Sequence, residues 1–386
     1  MLSFNSRILL LFCQHIFFIY AAFTTDKLYA QQKGNINNLK FIGQYQIPYA
    51  LQFKNTTVGG LSGIDYDAVN KRYYFISDDR SAINPARYYT ASIALSKKGI
   101  DSIHFTGVYQ LLQPNGKPYP NSKQDPTHTP DPEAIRYNPN QKQLVWSSEG
   151  ERIVSRKDTV LVDPSITGIS LQGKYLHSYV LPENLQMQSI EKGPRQNGVL
   201  EGMTFANQYK TLFASVEEPL YEDGPRADTI DNNAFIRILQ FDVATRKNTR
   251  QFAYKLEPVA HVPFPPNGFK VNGVPDILSI GNNKLLVLER SFSTGRLACT
   301  IKLFITDLNK ATDIKNIGSL KTATSFVPAA KKLFFNMDDL GIYIDNIESV
   351  TFGPILPNGH QTLVFVADNN FNPLEQSQLL LFEVID

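Results

Sequence analysis

Carboxylates recur in this chain at two places of a repeated phrase. Glu133, Glu201, Asp276 and Glu348 each open a short apolar run. A stronger apolar run follows each and ends on charge: Glu149-Gly150-Glu151-Arg152, Glu217-Glu218, Glu289-Arg290 and Asp368-Asn369-Asn370. A looser copy starts near Gly63 and ends at Asp78-Asp79-Arg80, so the phrase returns roughly every 70 residues, the mark of an internal repeat. Carboxylates related by a pseudo-rotation axis converge near it or on one rim, however far apart they lie in sequence. Such a group raises its own pKa values, and burying it without partners is costly. Ca²⁺, which accepts roughly six to eight hard oxygens, can hold it together. Arginines, pairing bidentately, can do the same.

That chemistry names candidates. Glu133, Glu201, Asp276 and Glu348 are the expected metal ligands, Glu149 and Glu217 the groups that activate water, and Arg80, Arg152 and Arg290 the anchors of an anionic substrate. A bound metal would polarise a phosphoryl oxygen while arginine grips the others, so a small phosphate ester is the substrate class these residues permit. Two other readings stay open. The arginines alone can neutralise the acids as an ion-pair scaffold, or the rim can bind an envelope ligand, glycan or protein without catalysis, using aromatics such as Tyr88-Tyr89 or Phe269.

Other chemistries find little support. His104, His128, His177, His261 and His360 are scattered without metal-ligand spacing, and no G-x-S-x-G, phosphate-loop, dinucleotide or zinc motif is present. A net charge of +2 with dispersed basic residues argues against nucleic acid.

The elements that must carry these residues read as strands. Each repeat offers up to four runs rich in aromatic and β-branched residues, separated by Asn, Gly, Pro and Asp. The fourth repeat's last strand is indistinct between Ile317 and Val327, and the fifth repeat is one strand short. Phe41 to Tyr49 supplies the missing strand by pairing with the C-terminal one. Four-stranded units closed in this way describe an all-β β-propeller of five blades, with a sixth only if strands hide between Lys310 and Ile344. Three long insertions, Pro114 to Pro132, Tyr221 to Asn233 and His261 to Gly273, are expected on one rim.

Residues 1–30 resemble a secretory signal peptide: Arg7 precedes an apolar run from Ile8 to Phe23, and Leu28-Tyr29-Ala30 offers a cleavage site. A polar tether over 31–40 then leads to one propeller domain over 41–386. The expectation is a periplasmic or secreted monomer with no stable membrane insertion after cleavage. Cys13 lies in the leader, so Cys299 has no internal partner.

Several motifs together resemble one family. They are Gly60-Leu61-Ser62-Gly63-Ile64 with Phe75-Ile76-Ser77-Asp78-Asp79-Arg80, Pro132-Glu133-Ala134 with Ser148-Glu149-Gly150, and Leu200-Glu201-Gly202-Met203 with Glu217-Glu218-Pro219. Glu289-Arg290-Ser291-Phe292 and Asn346-Ile347-Glu348-Ser349 with Ala367-Asp368-Asn369-Asn370-Phe371 complete the set. In this order and spacing they are similar to the phytase-like family, also described by esterase-like activity of phytase, over approximately residues 50 to 385. The resemblance implies an exported propeller with phosphoesterase or related esterase action, by analogy with calcium-dependent propeller phytases.

Overall fold

The second apolar run of a repeat is buried along its whole length: every residue of Gln143–Ser148, Thr211–Val216 and Thr362–Ala367 is shielded from solvent. A strand covered on both faces needs a sheet on either side. The computed structural model, described for residues 36–385 apart from Lys97, meets that need with five four-stranded antiparallel sheets packed around an axis.

From the axis outward, blade 1 comprises Leu61–Asp67, Arg72–Ser77, Arg87–Ser96 and Gly99–Gln110. Blade 2 comprises Pro132–Asn138, Gln143–Ser148, Ser165–Ser170 and Tyr175–Ser178. Blade 3 is built from Leu200–Ala206, Thr211–Val216, Phe235–Asp242 and Asn248–Lys255. Blade 4 follows with Lys270–Ser279, Lys284–Ser293, Thr300–Asp307 and Ala330–Asn336. Blade 5 takes Ile347–Phe352, Thr362–Ala367 and Ser377–Ile385 from the C-terminal end and Asn38–Ile47 from the other. Asn38 lies opposite Ile385 and Tyr45 opposite Leu379, which closes the ring.

Five apolar cores fill the five gaps between blades. Ile135 and Trp146 meet Tyr74 and Tyr88 between blades 1 and 2; Val145 meets Met203 and Leu212 between 2 and 3; Phe213 meets Val287 between 3 and 4. Leu288 packs toward Phe365 and Phe382 between blades 4 and 5, and Phe75 toward Val364 and Leu381 across the closing gap. Among the described residues no gap is left for a sixth blade. Leu333-Phe334-Phe335, the segment that would have served one, belongs to the outer strand of blade 4, which starts beyond the expected Ile317 to Val327 window. Outer strands are poorly legible because only one face is covered: Ala330–Asn336 has no fully buried residue.

The signal peptide expected at 1–30 lies outside the described residues. Among those described, no helix is long and apolar enough to cross a membrane, and the helical segments are the 3₁₀ turns Glu183–Leu185 and Met337–Leu340.

Each inner strand begins, and each second strand ends, at one face of the ring. The three long insertions precede an inner strand or follow a second strand, so all three open on that face.

Candidate metal centre

Every inner strand is interrupted at the same place. The pairing register slips between Leu61 and Gly63, Pro132 and Ile135, Leu200 and Met203, Gly273 and Asp276, and Ile347 and Ser349. A bulge bends the strand and re-aims one side chain. The residues it re-aims are Glu133, Glu201 and Glu348. Counting from the paired residues beyond the slip, their counterparts are Ser62 in blade 1 and Val274 in blade 4, in place of the Gly63 and Asp276 suggested by sequence. Asp276 stands two residues deeper, level with Ile135 and Met203.

A second set comes from the residue just past the second strand in blades 1, 2, 3 and 5: Asp78, Glu149, Glu217 and Asp368. Asp131, in the loop before blade 2, brings the interacting carboxylates at this mouth to eight. The backbone is thinned to admit them. A Cβ on Gly273 would lie 2.6 Å from Glu217 Cγ, and one on Gly60, whose φ is +59°, would lie 1.9 Å from Asp78 Oδ1.

Two arginines answer these acids. Arg290 donates through Nη2 to Glu217 Oε1 at 2.8 Å and through Nη1 to Glu348 and to Asn346 Oδ1. Arg80 pairs with Glu151 and stands 3.7 Å from Asp131 Oδ2, while its Nε and Nη2 are buried without a hydrogen-bond acceptor. The negative charge therefore outruns the positive, and the carboxyls resist ionisation. Burial pushes Glu133 and Glu201 well above the usual carboxylate range, with Glu201 the strongest neighbour of the first and Glu149 of the second. Burial and the carboxylates of Glu348 and Asp131 do the same to Asp78, as burial and Asp78 do to Asp368. Asp131 is raised to about 8 by burial against the pull of Arg80. Glu149 is raised to about 7 by burial and by Glu217, although the Gly198 and Val199 amides donate to its Oε1. Glu348 is raised less freely, because Arg290 opposes its burial.

This arrangement fits a hard cation. One ligand atom from each of Asp131, Glu133 and Glu149 lies within 4.8 Å of the others, so the three could hold a metal ion together. Asp78 Oδ1 and Asp368 Oδ2 are buried with no hydrogen-bond partner, which is costly unless something cationic faces them. The donors are carboxylate oxygens throughout, the ligand type of Ca²⁺ and Mg²⁺.

The sequence model of the phytase-like family, described by esterase-like activity of phytase, matches residues 56–371. The chain belongs to this family. No curated protein matches the sequence. Similar solved structures include a thermostable family-43 glycoside hydrolase (10% identity, TM-score 0.46, covering 84% of this chain and 88% of that one). An endo-arabinase from Bacteroides thetaiotaomicron is similar at 12% identity and TM-score 0.42, covering 88% and 98%. The periplasmic gluconolactonase of Pseudomonas aeruginosa is similar at 9% and 0.37, covering 86% and 87%.

In this phytase-like ring the expected site residues fall into three groups. Glu133, Glu149, Glu201, Glu217, Glu348 and Arg290 share the mouth, and Arg80 reaches it through Asp131. Asp276 is instead clamped by Arg136, both of its oxygens accepting from Nη2 at 2.6–2.7 Å, and Oδ2 also accepts from Ser349 Oγ at 2.6 Å. Arg152 donates to the carbonyls of Gln188 and Ile190 and lies 5.0 Å from the Tyr221 ring, so it braces rim loops.

Sequence reasoning left Asp78, Asp131 and Asp368 out of the ligand set. Asp78 and Asp368 carried a usable signal, since they occupy the same repeat position as Glu149 and Glu217. Asp131 carried none, because its equivalents in the other repeats, Gly60, Val199 and Asn346, are not acidic.

Proposed function

We propose that this phytase-like propeller is an exported, calcium-dependent hydrolase of small phosphate esters, working at the acidic mouth of the ring. The observation that carries the reading is the excess of desolvated carboxylates over arginines, with Asp131, Glu133 and Glu149 close enough to share one ion. Those three residues would hold Ca²⁺, with Glu201 and Glu348 beside them. When bound, the ion would polarise a phosphoryl oxygen and acidify a water.

The chain's own groups would do the rest. Arg80 keeps two N–H groups free of protein acceptors at the edge of the site, so it can donate to the equatorial oxygens of a phosphoryl group. Arg290 is already committed to Glu217 and Glu348, so it holds those carboxylates in place and only secondarily meets substrate. Glu149 and Glu201 interact directly at the mouth, and Glu149 is raised to about 7, which suits this pair to move a proton between water and leaving group near neutral pH. Glu217 braces Arg290 at the same mouth.

The test is calorimetric calcium titration of the chelated protein, with hydrolysis of phosphomonoesters and diesters followed before and after calcium is returned. Calcium binding with recovered turnover, both lost in E133Q, is the expected result. Binding without turnover would overturn the catalytic part of the reading and leave a binding propeller. That second reading has its own support: the opposite end of the axis holds a pocket lined by Asp65, Arg136, Thr204 and Thr351 under a collar that includes Tyr66 and Phe205.

A further inference from the structure

Blade 4 reaches beyond the acidic layer. Its two inner strands stay paired for three residues past the Gly273–Arg290 level, to Lys270 opposite Ser293, a rise of about 10 Å. Thr294 N then donates to Phe269 O, and Phe264 N to Thr294 O, so the loops at 261–269 and 294–297 ride together on this extension. The tip is apolar and uncovered: Val262 is 69% exposed, Phe264 78%, Phe269 56% and Leu297 88%. Phe292 packs beneath it, 6.2 Å from Phe269 between ring centres, and the Tyr343 hydroxyl donates to the Leu297 carbonyl. Large apolar side chains grouped on one projecting tip mark an interaction surface.

Charge indicates what the tip meets. No Asp or Glu occurs in 258–270 or 291–299, while Arg296 is exposed with no carboxylate partner among the described residues, and His261 lies within its field. Of the neighbouring acids, Asp228 is paired with Lys270 at 3.1 Å and Asp231 with Lys255 at 2.7 Å, while Asp338 accepts from the Thr300 hydroxyl at 3.0 Å. An apolar tip flanked by an arginine without a carboxylate partner is complementary to the interface of an anionic lipid bilayer, where side chains enter the acyl boundary and cations meet headgroups.

We propose that the blade 4 tip is a lipid-docking element: Phe264, Phe269 and Leu297 insert into an anionic membrane surface, Arg296 engages its headgroups, and the acidic mouth is held beside the bilayer. The proposal stands independently of whether the mouth is catalytic.

The test is co-sedimentation of the chain from Gln31 onward, which contains the whole closed ring, with phosphatidylcholine vesicles with and without about 30% phosphatidylglycerol, in chelator. Binding to the anionic vesicles is expected, lowered at least about tenfold by F264S/L297S. R296E should weaken binding to the anionic vesicles alone. Both variants change exposed side chains, so an unaltered melting temperature and unaltered calcium titration accompany the expected result. Failure to sediment would overturn the proposal. So would binding that survives F264S/L297S, binding that appears only with calcium, or a concentration-dependent dimer that L297S dissolves, which would make the occupant a second copy of the chain.

Discussion

If the acidic mouth is a cation site, the metal-free protein should lose stability as pH rises, against the usual behaviour of paired carboxylates. Glu149 moves from an ordinary 4.5 to about 7 in the folded ring. Between those values the folded state binds more protons than the unfolded chain, so the slope of unfolding free energy with pH is negative. The stabilisation is complete below about 4.5 and lost as pH passes the folded value. At 1.36 kcal/mol per pH unit, Glu149 alone is worth about 3 kcal/mol. With an unfolding entropy of about 2.1 cal/mol/K per residue over the ring, that is roughly 4 °C in Tm. Asp131, raised to about 8, extends the window upward. Scanning calorimetry of the chelated protein from pH 5 to 9 at constant ionic strength should therefore show Tm falling by at least about 4 °C. Calcium at about 100 times its Kd should restore about 2.7 kcal/mol at pH 8, and much less at pH 5, where protons occupy the oxygens. E149Q, which cannot ionise, should flatten the slope and exceed the parent at pH 8 without metal. A metal-free Tm that is level or rising between pH 5 and 8 would refute the argument, because it would mean the carboxylates are ionised and already neutralised inside the protein.

Three further outcomes follow from the same geometry. R290M removes the cation between Glu217 and Glu348 and should destabilise the metal-free ring by about 3–5 kcal/mol, read by denaturant titration, with calcium returning part of the loss. D276N breaks the buried pair with Arg136 and should cost a comparable amount, about 3–5 kcal/mol, yet leave the calcium affinity measured by calorimetry unchanged, since Asp276 lies below the acidic layer. G273A would place a methyl 2.6 Å from Glu217 Cγ. It should cost about 1–3 kcal/mol and weaken calcium binding, whereas G318A, where a Cβ meets nothing within 4 Å, should do neither.

Adjacent acids show where reading a sequence stops. Asp78 and Asp79 look alike in the chain. In the ring Asp78 faces the crowded mouth, while Asp79 turns the other way to accept from the Ala82, Ile83 and Asn84 amides and to pair with Arg87 at 2.7 Å. Glu289 and Arg290 part company similarly. Glu289 is held by Tyr254, Asn272 and Lys331 between blades, and Arg290 enters the mouth. Alternation along a strand makes this divergence inevitable, but its direction depends on a register that only the pairing shows.

The repeat, the all-strand class, the closure of the ring by its two ends and the convergence of acids from several repeats were legible in the order of residues alone. All of these follow from periodic apolar runs and equivalent positions. It took the closed ring to show that the bulges of blades 2, 3 and 5 aim Glu133, Glu201 and Glu348 together, that Val274 takes the fourth blade's place among them, and that Arg136 claims Asp276. A bulge shifts register by one residue without any composition of its own, and a buried arginine finds its carboxylate only once the blades have closed around both.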